Sequence, residues 1–122
     1  MSRRTWIELP ANRTAPSTAR RAVARFDGLS PARVDDAALV ASELVTNALL
    51  HAGLGPDDAI TLGLWRDGAW LRIEVDDHGG FDARPADVRL GSGSGGMGLR
   101  IVGALATAWE VSAGRVTAWI AA

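Results

Sequence analysis

The longest periodic stretch of the sequence, residues 30–53, reads SPARVDDAALVASELVTNALLHAG. Serine is favoured at the N-cap of a helix and proline at its first position, so Ser30 and Pro31 predict where a helix begins. Gly53 supplies a C-terminal stop. Between these ends, apolar residues recur at helical spacing and form a stripe of Val34, Ala37, Ala41, Leu44 and Ala48. The sequence therefore predicts a long amphipathic helix that packs one face against a core.

Three polar side chains on the same stretch are spaced four residues apart. Glu43, Asn47 and His51 therefore share one face of the predicted helix. Carboxylate and amide oxygens suit a hard cation such as Mg²⁺. A zinc site is less favoured, because the stretch has neither the His-Glu-x-x-His pattern nor a thiolate. A solvated polar face of a structural helix is the alternative interpretation of these residues taken alone.

Helical spacing and strand alternation predict the shorter elements on either side. In chain order they are a strand at Thr5–Leu9 closed by Pro10, a helix at Ser17–Phe26 capped by Ser17, a hairpin at Ile60–Val75 turning at Asp67-Gly68, a helix at Met97–Ala106, and a hairpin at Trp109–Ala121 turning at Ala113-Gly114. This order predicts an α+β fold, a two-layer sandwich with helices on one face of a mixed, mostly antiparallel sheet. A doubly wound nucleotide-binding fold would need strands and helices to alternate throughout.

Two adjacent carboxylates stand where the first hairpin ends. Asp76 and Asp77 follow an apolar strand and precede Gly79 and Gly80, and glycines let a ligand approach the backbone closely. An aspartate that faces inward at this point needs a hydrogen-bond donor, and an exocyclic amine is one candidate. An ordinary turn rich in aspartate is the alternative interpretation.

A long glycine-rich loop follows. Residues 78–96 contain six glycines and no periodicity, and a loop of that length inside a compact domain predicts a mobile lid at about 80–95. The glycines that lead into the next helix would expose backbone N–H groups at a helix N-terminus, which is an arrangement that binds anions.

Two familiar phosphate-binding motifs do not account for this loop. Gly93, Gly95 and Gly98 match a Gly-x-Gly-x-x-Gly pattern, but they follow a long loop and not a strand, so a dinucleotide-binding unit is rejected. A Walker-type phosphate loop is excluded because the chain contains no lysine.

Length and composition limit the classes of function open to the chain. Its 122 residues suit one domain, 1–122, and 48% hydrophobic with 22% charged residues is typical of a globular protein. The net charge of −1 disfavours sequence-independent nucleic-acid binding, which needs a basic excess. The chain has no cysteine, and no apolar run predicts a signal peptide or a membrane span. We therefore expect a soluble, cytoplasmic domain with neither a nucleic acid nor a membrane as partner.

Taken together, the two polar clusters and the glycine-rich segment are similar to the three sequence boxes of the GHKL ATPases, the superfamily that includes gyrase and the histidine kinases. The similarity lies in Glu43-x-x-x-Asn47 with His51, Asp77-x-Gly79, and Gly96-x-Gly98-Leu99, in this order. Within the superfamily, residues 42–48 closely resemble the anti-sigma-factor serine/threonine kinases and their small actinobacterial relatives. The resemblance extends from about Thr5 to Ala121 and implies a Bergerat ATP-binding fold.

The resemblance also implies a role for the residues of each box. Asn47 would coordinate Mg²⁺ that bridges the phosphates of ATP, His51 would lie in the same ATP site, and Glu43 would act as general base. Asp77 would accept a hydrogen bond from the adenine amino group, where Gly79 gives the base room. The phosphates would be cradled by Gly95, Gly96, Met97, Gly98 and Leu99.

The sequence departs from the family pattern at two places. Phe81 stands where the middle box usually has a second glycine. The family often places a threonine shortly after the glycine and basic residue of the last hairpin, whereas here Val116 follows Arg115 and Thr117 comes one position late. A shift of one residue turns a strand side chain to the opposite face. A nucleotide contact is therefore not assigned to Thr117.

Two functions follow from the resemblance. One is a kinase that phosphorylates a serine or threonine of an antagonist protein while sequestering a sigma factor, and the other is a non-catalytic ATP-binding module whose nucleotide state switches its partner. Glu43 favours the kinase, because a carboxylate one helical turn from the metal ligand can take the hydroxyl proton. A histidine-kinase module is disfavoured, since no dimerisation helix with a phosphoacceptor histidine precedes. The implied partners are ATP or ADP, a sigma factor and its antagonist, with a homodimer as one expected assembly.

Overall fold

The computed structural model describes residues 3–55, 57–78, 96–112 and 114–122 of the protein. The lid expected at about 80–95 lies outside these residues, as do Gly79 and Gly95.

Three helices and five strands make up the described chain. In chain order they are β1 (Arg3–Pro10), α1 (Ala15–Arg25), α2 (Pro31–His51), β2 (Ala59–Asp67), β3 (Trp70–Asp76), α3 (Gly96–Leu105), β4 (Ala108–Ser112) and β5 (Arg115–Ala121). The strands form one sheet in the order β1-β2-β3-β5-β4, and every described pair is antiparallel. The helices share their core with one face of this sheet, which confirms the predicted α+β sandwich. None of the described helices is both long and apolar enough to span a membrane.

The core lies between the helices and one face of the sheet. On β2 and β3 every second residue is apolar and buried against the helices, as the alternation predicts. The long helix α2 packs against α1, α3 and β3, so it lies at the centre of the helical layer. Its buried stripe includes Ala37, Val40, Ala41, Leu44, Val45 and Ala48, whereas Val34 at the predicted start of the stripe is only half-buried.

The beginning of α1 differs from the prediction. The helix begins at Ala15 after Thr14, so Ser17 lies within the first turn and its Oγ donates a hydrogen bond to the Thr14 carbonyl at 3.0 Å. Asn12 stabilises the turn that precedes the helix, because its Oδ1 accepts a hydrogen bond from the Thr14 amide at 2.9 Å. A side chain that accepts a hydrogen bond from the backbone two residues later favours a turn there, so the helix can begin before the serine. The prediction of Ser17 as the cap was therefore wrong.

Gly68 turns the chain between β2 and β3. Asp67 pairs directly with Trp70, so the hairpin loop consists of Gly68 and Ala69, and Gly68 has a φ of 62°. This conformation is open to glycine and disfavoured for residues that have a Cβ.

Replacing Gly68 with alanine is expected to lower the free energy of unfolding by about 1 kcal/mol. The added Cβ would meet no atom within 4 Å, so the loss is a backbone effect alone. Urea denaturation followed by tryptophan fluorescence measures it. The matched control is Gly55→Ala, where the new Cβ would lie 3.6 Å from Asp58 Oδ2 in ordinary contact, and stability should not fall. Equal losses in the two variants would show that the turn conformation is not the cause.

Candidate functional site

A cleft lies between the C-terminal half of α2, the end of β3 and the β4–β5 hairpin. Helix α2 contributes Leu44, Asn47, Ala48, His51 and Ala52, the end of β3 contributes Val75 and Asp77, and the hairpin contributes Val111, Ser112, Gly114, Arg115 and Val116. The walls are largely apolar, and a few polar groups converge on the cleft from opposite sides. This combination is typical of a small-molecule site.

Asn47 is the most informative residue of the helix wall. Its side chain is only 8% exposed, and its Oδ1 has no hydrogen-bond partner among the described residues. A buried polar atom without a partner is costly, at about 1–3 kcal/mol. Leu44 and Ala48 on either side of it are buried in the core, so the helix holds this oxygen firmly at the cleft. The oxygen is thus available to a ligand or a metal ion.

His51 repeats the same situation one helical turn later. It is the last residue of α2, it is half-buried, and its Nε2 is likewise without a partner among the residues described. The spacing of four residues therefore brings Asn47 and His51 to the same cleft, as the sequence predicts.

Asp77 faces the cleft from the opposite wall. It directly follows β3, it is 8% exposed, and its backbone amide donates to the Gly114 carbonyl at 2.8 Å. That hydrogen bond joins the end of β3 to the β4–β5 turn, so the carboxylate is carried on a fixed backbone.

Asp76 lies on the opposite face of the sheet from Asp77. Its Oδ2 accepts a hydrogen bond from Arg115 Nη2 at 3.1 Å, and its Oδ1 accepts one from the His78 amide at 2.7 Å. Adjacent residues of a strand point to opposite faces, and this pair follows the rule. Of the two neighbouring carboxylates, only Asp77 lines the cleft.

The same alternation decides the position of Thr117. Val116 lines the cleft, whereas Thr117 is buried on the other face of the sheet, where its Oγ1 donates to Glu74 Oε1 at 3.5 Å. The one-residue shift noted in the sequence therefore places Thr117 away from the cleft.

Glu43 is not brought to the cleft with the other polar residues of α2. It lies one turn before Asn47 and is half-buried, but it does not line the cleft walls. The box residues Gly96, Met97, Gly98 and Leu99 form the first turn of α3, a helix that packs against α2. The N-terminus of α3 carries a partial positive charge that favours anions.

Arg115 borders the cleft, although the sequence analysis did not assign it a place there. It lies beside Gly114 at the edge of the cleft, and its guanidinium contacts Asp76 and Glu74 on the opposite face of the sheet. The pKa of Arg115 is raised further above its usual range, first by the hydrogen bond to Asp76 and then by the charges of Glu74 and Asp76. The signal was present in the sequence, because the glycine and basic pair of the last hairpin directly precedes Val116. The position of Arg115 could not be predicted from it, because that position depends on the pairing of β3 with β5, two strands that are distant in the sequence.

The donor atoms decide which metal the cleft suits. No group of three or more histidine, cysteine, aspartate or glutamate side chains in the described part of the chain could enclose a metal ion. Mg²⁺ is commonly held by one or two protein oxygens together with the phosphates of a substrate. The unpartnered Asn47 Oδ1 fits that role, provided that a phosphorylated ligand supplies further oxygens.

Comparison with known proteins shows the family and the fold of the chain. The sequence model of the histidine kinase-like ATPase domain matches residues 9–121. The crystal structure of the RsbU and RsbW domains of Rv1364c from Mycobacterium tuberculosis is similar in fold, with a TM-score of 0.65 and 23% sequence identity. The match covers 97% of this chain and 31% of that one, so the chain spans about a third of the length of its structural neighbour. No curated protein matches the sequence.

Proposed function

Since the chain belongs to the histidine kinase-like ATPase domain family, we propose that it binds ATP in the cleft and transfers the γ-phosphoryl group to a serine or threonine of a partner protein. One observation carries the proposal. The unpartnered oxygen of Asn47 and the carboxylate of Asp77 face one cleft from opposite walls, which supports a ligand that contacts both.

Asp77 is the proposed partner of the adenine base. A carboxylate accepts hydrogen bonds only, so it favours the exocyclic amine of adenine over the carbonyl at the same position of guanine. The apolar side chains of the two walls, Leu44 and Ala48 on α2 and Val75 and Val116 on the strands, supply surfaces between which a flat base can pack. His51 also lines this cleft and has an unpartnered Nε2 for a further contact to the nucleotide.

Asn47 is the proposed protein ligand of Mg²⁺. Held by Asn47 together with oxygens of the nucleotide, the ion would supply positive charge that offsets the charge developing as the phosphoryl group departs. The first turn of α3, with Gly96, Met97, Gly98 and Leu99, would direct backbone N–H groups at the phosphates, and Gly95 precedes it in the same segment.

Glu43 is the proposed general base. It would accept the proton of the partner's hydroxyl group while the hydroxyl oxygen bonds to the γ-phosphorus of ATP and ADP leaves. Its place one helical turn before Asn47, the proposed metal ligand, supports this role, because a general base must lie close to the hydroxyl that attacks the γ-phosphate. The resemblance to anti-sigma-factor kinases suggests a sigma factor and its antagonist as the protein partners.

A second function is favoured by one observation. Glu43 does not line the cleft that Asn47, His51 and Asp77 share. A domain that bound ATP in this cleft and positioned no base at its γ-phosphate would act as a non-catalytic module, in which the nucleotide state controls the affinity for a protein partner.

The two functions are separated by one experiment. The full chain, immobilised with and without ATP, is used to capture partners from an extract of its native cells, and each partner is then incubated with the chain and ATP labelled at the γ-phosphate. Label on a serine or threonine, located by mass spectrometry, supports the kinase. Partner affinity that depends on the nucleotide, without any label transfer, supports the binding module and contradicts the kinase.

A further inference from the structure

Two exposed leucines lie on the side of α2 that faces away from the sheet. Leu39 is 38% and Leu50 is 65% exposed, whereas the apolar residues on the opposite side of the helix are buried in the core. Among the side chains that the structure describes, the other large exposed apolar residues are two tryptophans of the sheet. A single exposed leucine is ordinary, but two on the same side of one helix form an apolar strip that another molecule can cover.

Leu39 and Leu50 belong to one row along the helix. They are separated by about three turns of an α-helix, so they point the same way and lie about 16 Å apart. Glu43 and Thr46 stand between them at helical spacing, and both are half-buried. We call these four residues, Leu39, Glu43, Thr46 and Leu50, the α2 ridge. The proposed general base therefore stands between two exposed apolar side chains.

Glu43 also marks the place where the α2 ridge meets the nucleotide cleft. Asn47, four residues later, lines the cleft, and Glu43 does not. Four residues turn the helix about 40° beyond a full turn, so Glu43 points midway between the direction of Leu39 on the ridge and that of Asn47 at the cleft. A hydroxyl group that crosses the ridge therefore reaches the carboxylate from the solvent side, without entering the cleft proposed for ATP.

The α2 ridge is acidic as well as apolar. One turn before Leu39, Asp35 is exposed and Asp36 is half-buried. No ion pair joins Asp35, Asp36 or Glu43 to another residue in the described part of the chain. Arg33 is the only arginine of α2, so carboxylates outnumber guanidinium groups along this helix. Carboxylates without partners attract basic groups and repel acidic ones.

From these observations we propose that the α2 ridge is the docking surface for the protein that supplies the acceptor hydroxyl, an inference that rests on the function proposed above. The partner buries Leu39 and Leu50 under apolar side chains and places arginine or lysine beside the two aspartates. Its serine or threonine then lies at Glu43. The hydroxyl oxygen bonds to the γ-phosphorus of ATP, the bond from that phosphorus to ADP breaks, and the proton passes to Glu43. ATP and the partner thus approach the base from different sides, which accounts for its place outside the cleft.

The α2 ridge of a second copy of this chain is a poorer occupant. Two such ridges placed face to face would bring carboxylates against carboxylates, and like charges in an interface are strongly unfavourable. The charge pattern therefore favours a different protein, one whose contact surface is apolar and basic.

Transfer kinetics with the partner test the docking role. The partner is the protein that the full chain captures and labels in the experiment above, purified separately. Leu39→Ser and Leu50→Ser should each raise the KM for the partner about five- to tenfold, as loss of an apolar anchor from an interface does, while kcat at saturating partner and the affinity for ATP stay within about twofold. Glu43→Gln should do the reverse and lower kcat with little change in this KM. Asp35→Lys should also raise the KM, since it sets a lysine against basic groups.

The matched controls lie on the sheet. Trp70→Ser removes an apolar side chain that is 44% exposed, and Asp67→Lys reverses an exposed charge at the start of the same turn. Neither should change the KM for the partner. Because Leu39 and Leu50 are exposed, urea denaturation should show that their serine variants are as stable as the unaltered chain.

Photocross-linking supplies a second measurement that does not depend on these kinetics. Benzoylphenylalanine in place of Leu50 should link the chain to the same partner, whereas benzoylphenylalanine in place of Trp70 should not. A link to residues 79–95 of the same chain, or to a second copy of the chain, in place of the partner would overturn the proposal.

Failure of the docking surface and failure of the proposed function give different results. A partner that both leucine variants label with an unchanged KM contradicts the docking surface and leaves the kinase intact. A captured partner that is never labelled contradicts the kinase, and the docking surface is then tested by the dissociation constant of that partner, which Leu39→Ser and Leu50→Ser should raise by the same factor. If the chain captures no protein at all, both proposals are contradicted.

Discussion

Phosphoryl transfer by the Glu43→Gln variant is expected to be about 10²–10⁴-fold slower than transfer by the unaltered chain, which is the usual contribution of a positioned general base. Glutamine keeps the shape of the side chain but cannot accept the hydroxyl proton. Glu43 does not line the cleft, so the affinity for ATP should stay within about twofold. The measurement is the initial rate of label transfer from γ-labelled ATP to the captured partner, together with the nucleotide dissociation constant of each variant.

The Asn47→Ala variant distinguishes the role of a metal ligand, proposed for Asn47, from that of a general base, proposed for Glu43. It removes the unpartnered Oδ1 that faces the cleft, so Mg²⁺-dependent ATP binding should fall together with transfer. A Glu43→Gln variant that transfers phosphate at the normal rate would show that Glu43 is not the base.

Asp77→Asn is expected to weaken the binding of both ATP and ADP by about 10- to 150-fold, equivalent to about 1.5–3 kcal/mol for a hydrogen bond to a charged group. Asparagine removes the charge and can turn its NH₂ group towards the adenine amine, where a donor would meet a donor. Loss of equal size for the two nucleotides is part of the expectation, because the base is common to both. Competition with a fluorescent ATP analogue measures the two dissociation constants.

Asp76→Asn is the matched control for that substitution. Asp76 neighbours Asp77 in sequence, but its carboxylate lies on the face of the sheet away from the cleft, in contact with Arg115, so nucleotide affinity should change far less. A larger loss from Asp76→Asn than from Asp77→Asn would contradict the assignment of adenine to Asp77.

The helical wall of the cleft could be predicted from the sequence alone. Spacing of four residues is sufficient to bring Asn47 and His51 to one face of α2, and strand alternation is sufficient to separate Asp76 from Asp77 and Val116 from Thr117. These inferences need only the geometry of a single element. These inferences are correct because each element has a single apolar face, and that face must pack against the core.

Features that depend on two elements at once were not predicted. The place of Arg115 at the edge of the cleft and its contact with Asp76 depend on how β3 pairs with β5, a register that forms between residues some forty positions apart. The start of α1 was misplaced for a local reason, because Asn12 offers the backbone an acceptor that the helical pattern does not include.

Isothermal titration calorimetry of the unaltered chain with ATP, in the presence and absence of MgCl₂, tests the central claim most directly. We predict one ATP bound per chain, tighter binding when Mg²⁺ is present, and much weaker binding of GTP, whose carbonyl oxygen would face the Asp77 carboxylate. Absence of heat with ATP, together with no displacement of a fluorescent ATP analogue, would contradict the claim that this cleft is a nucleotide site.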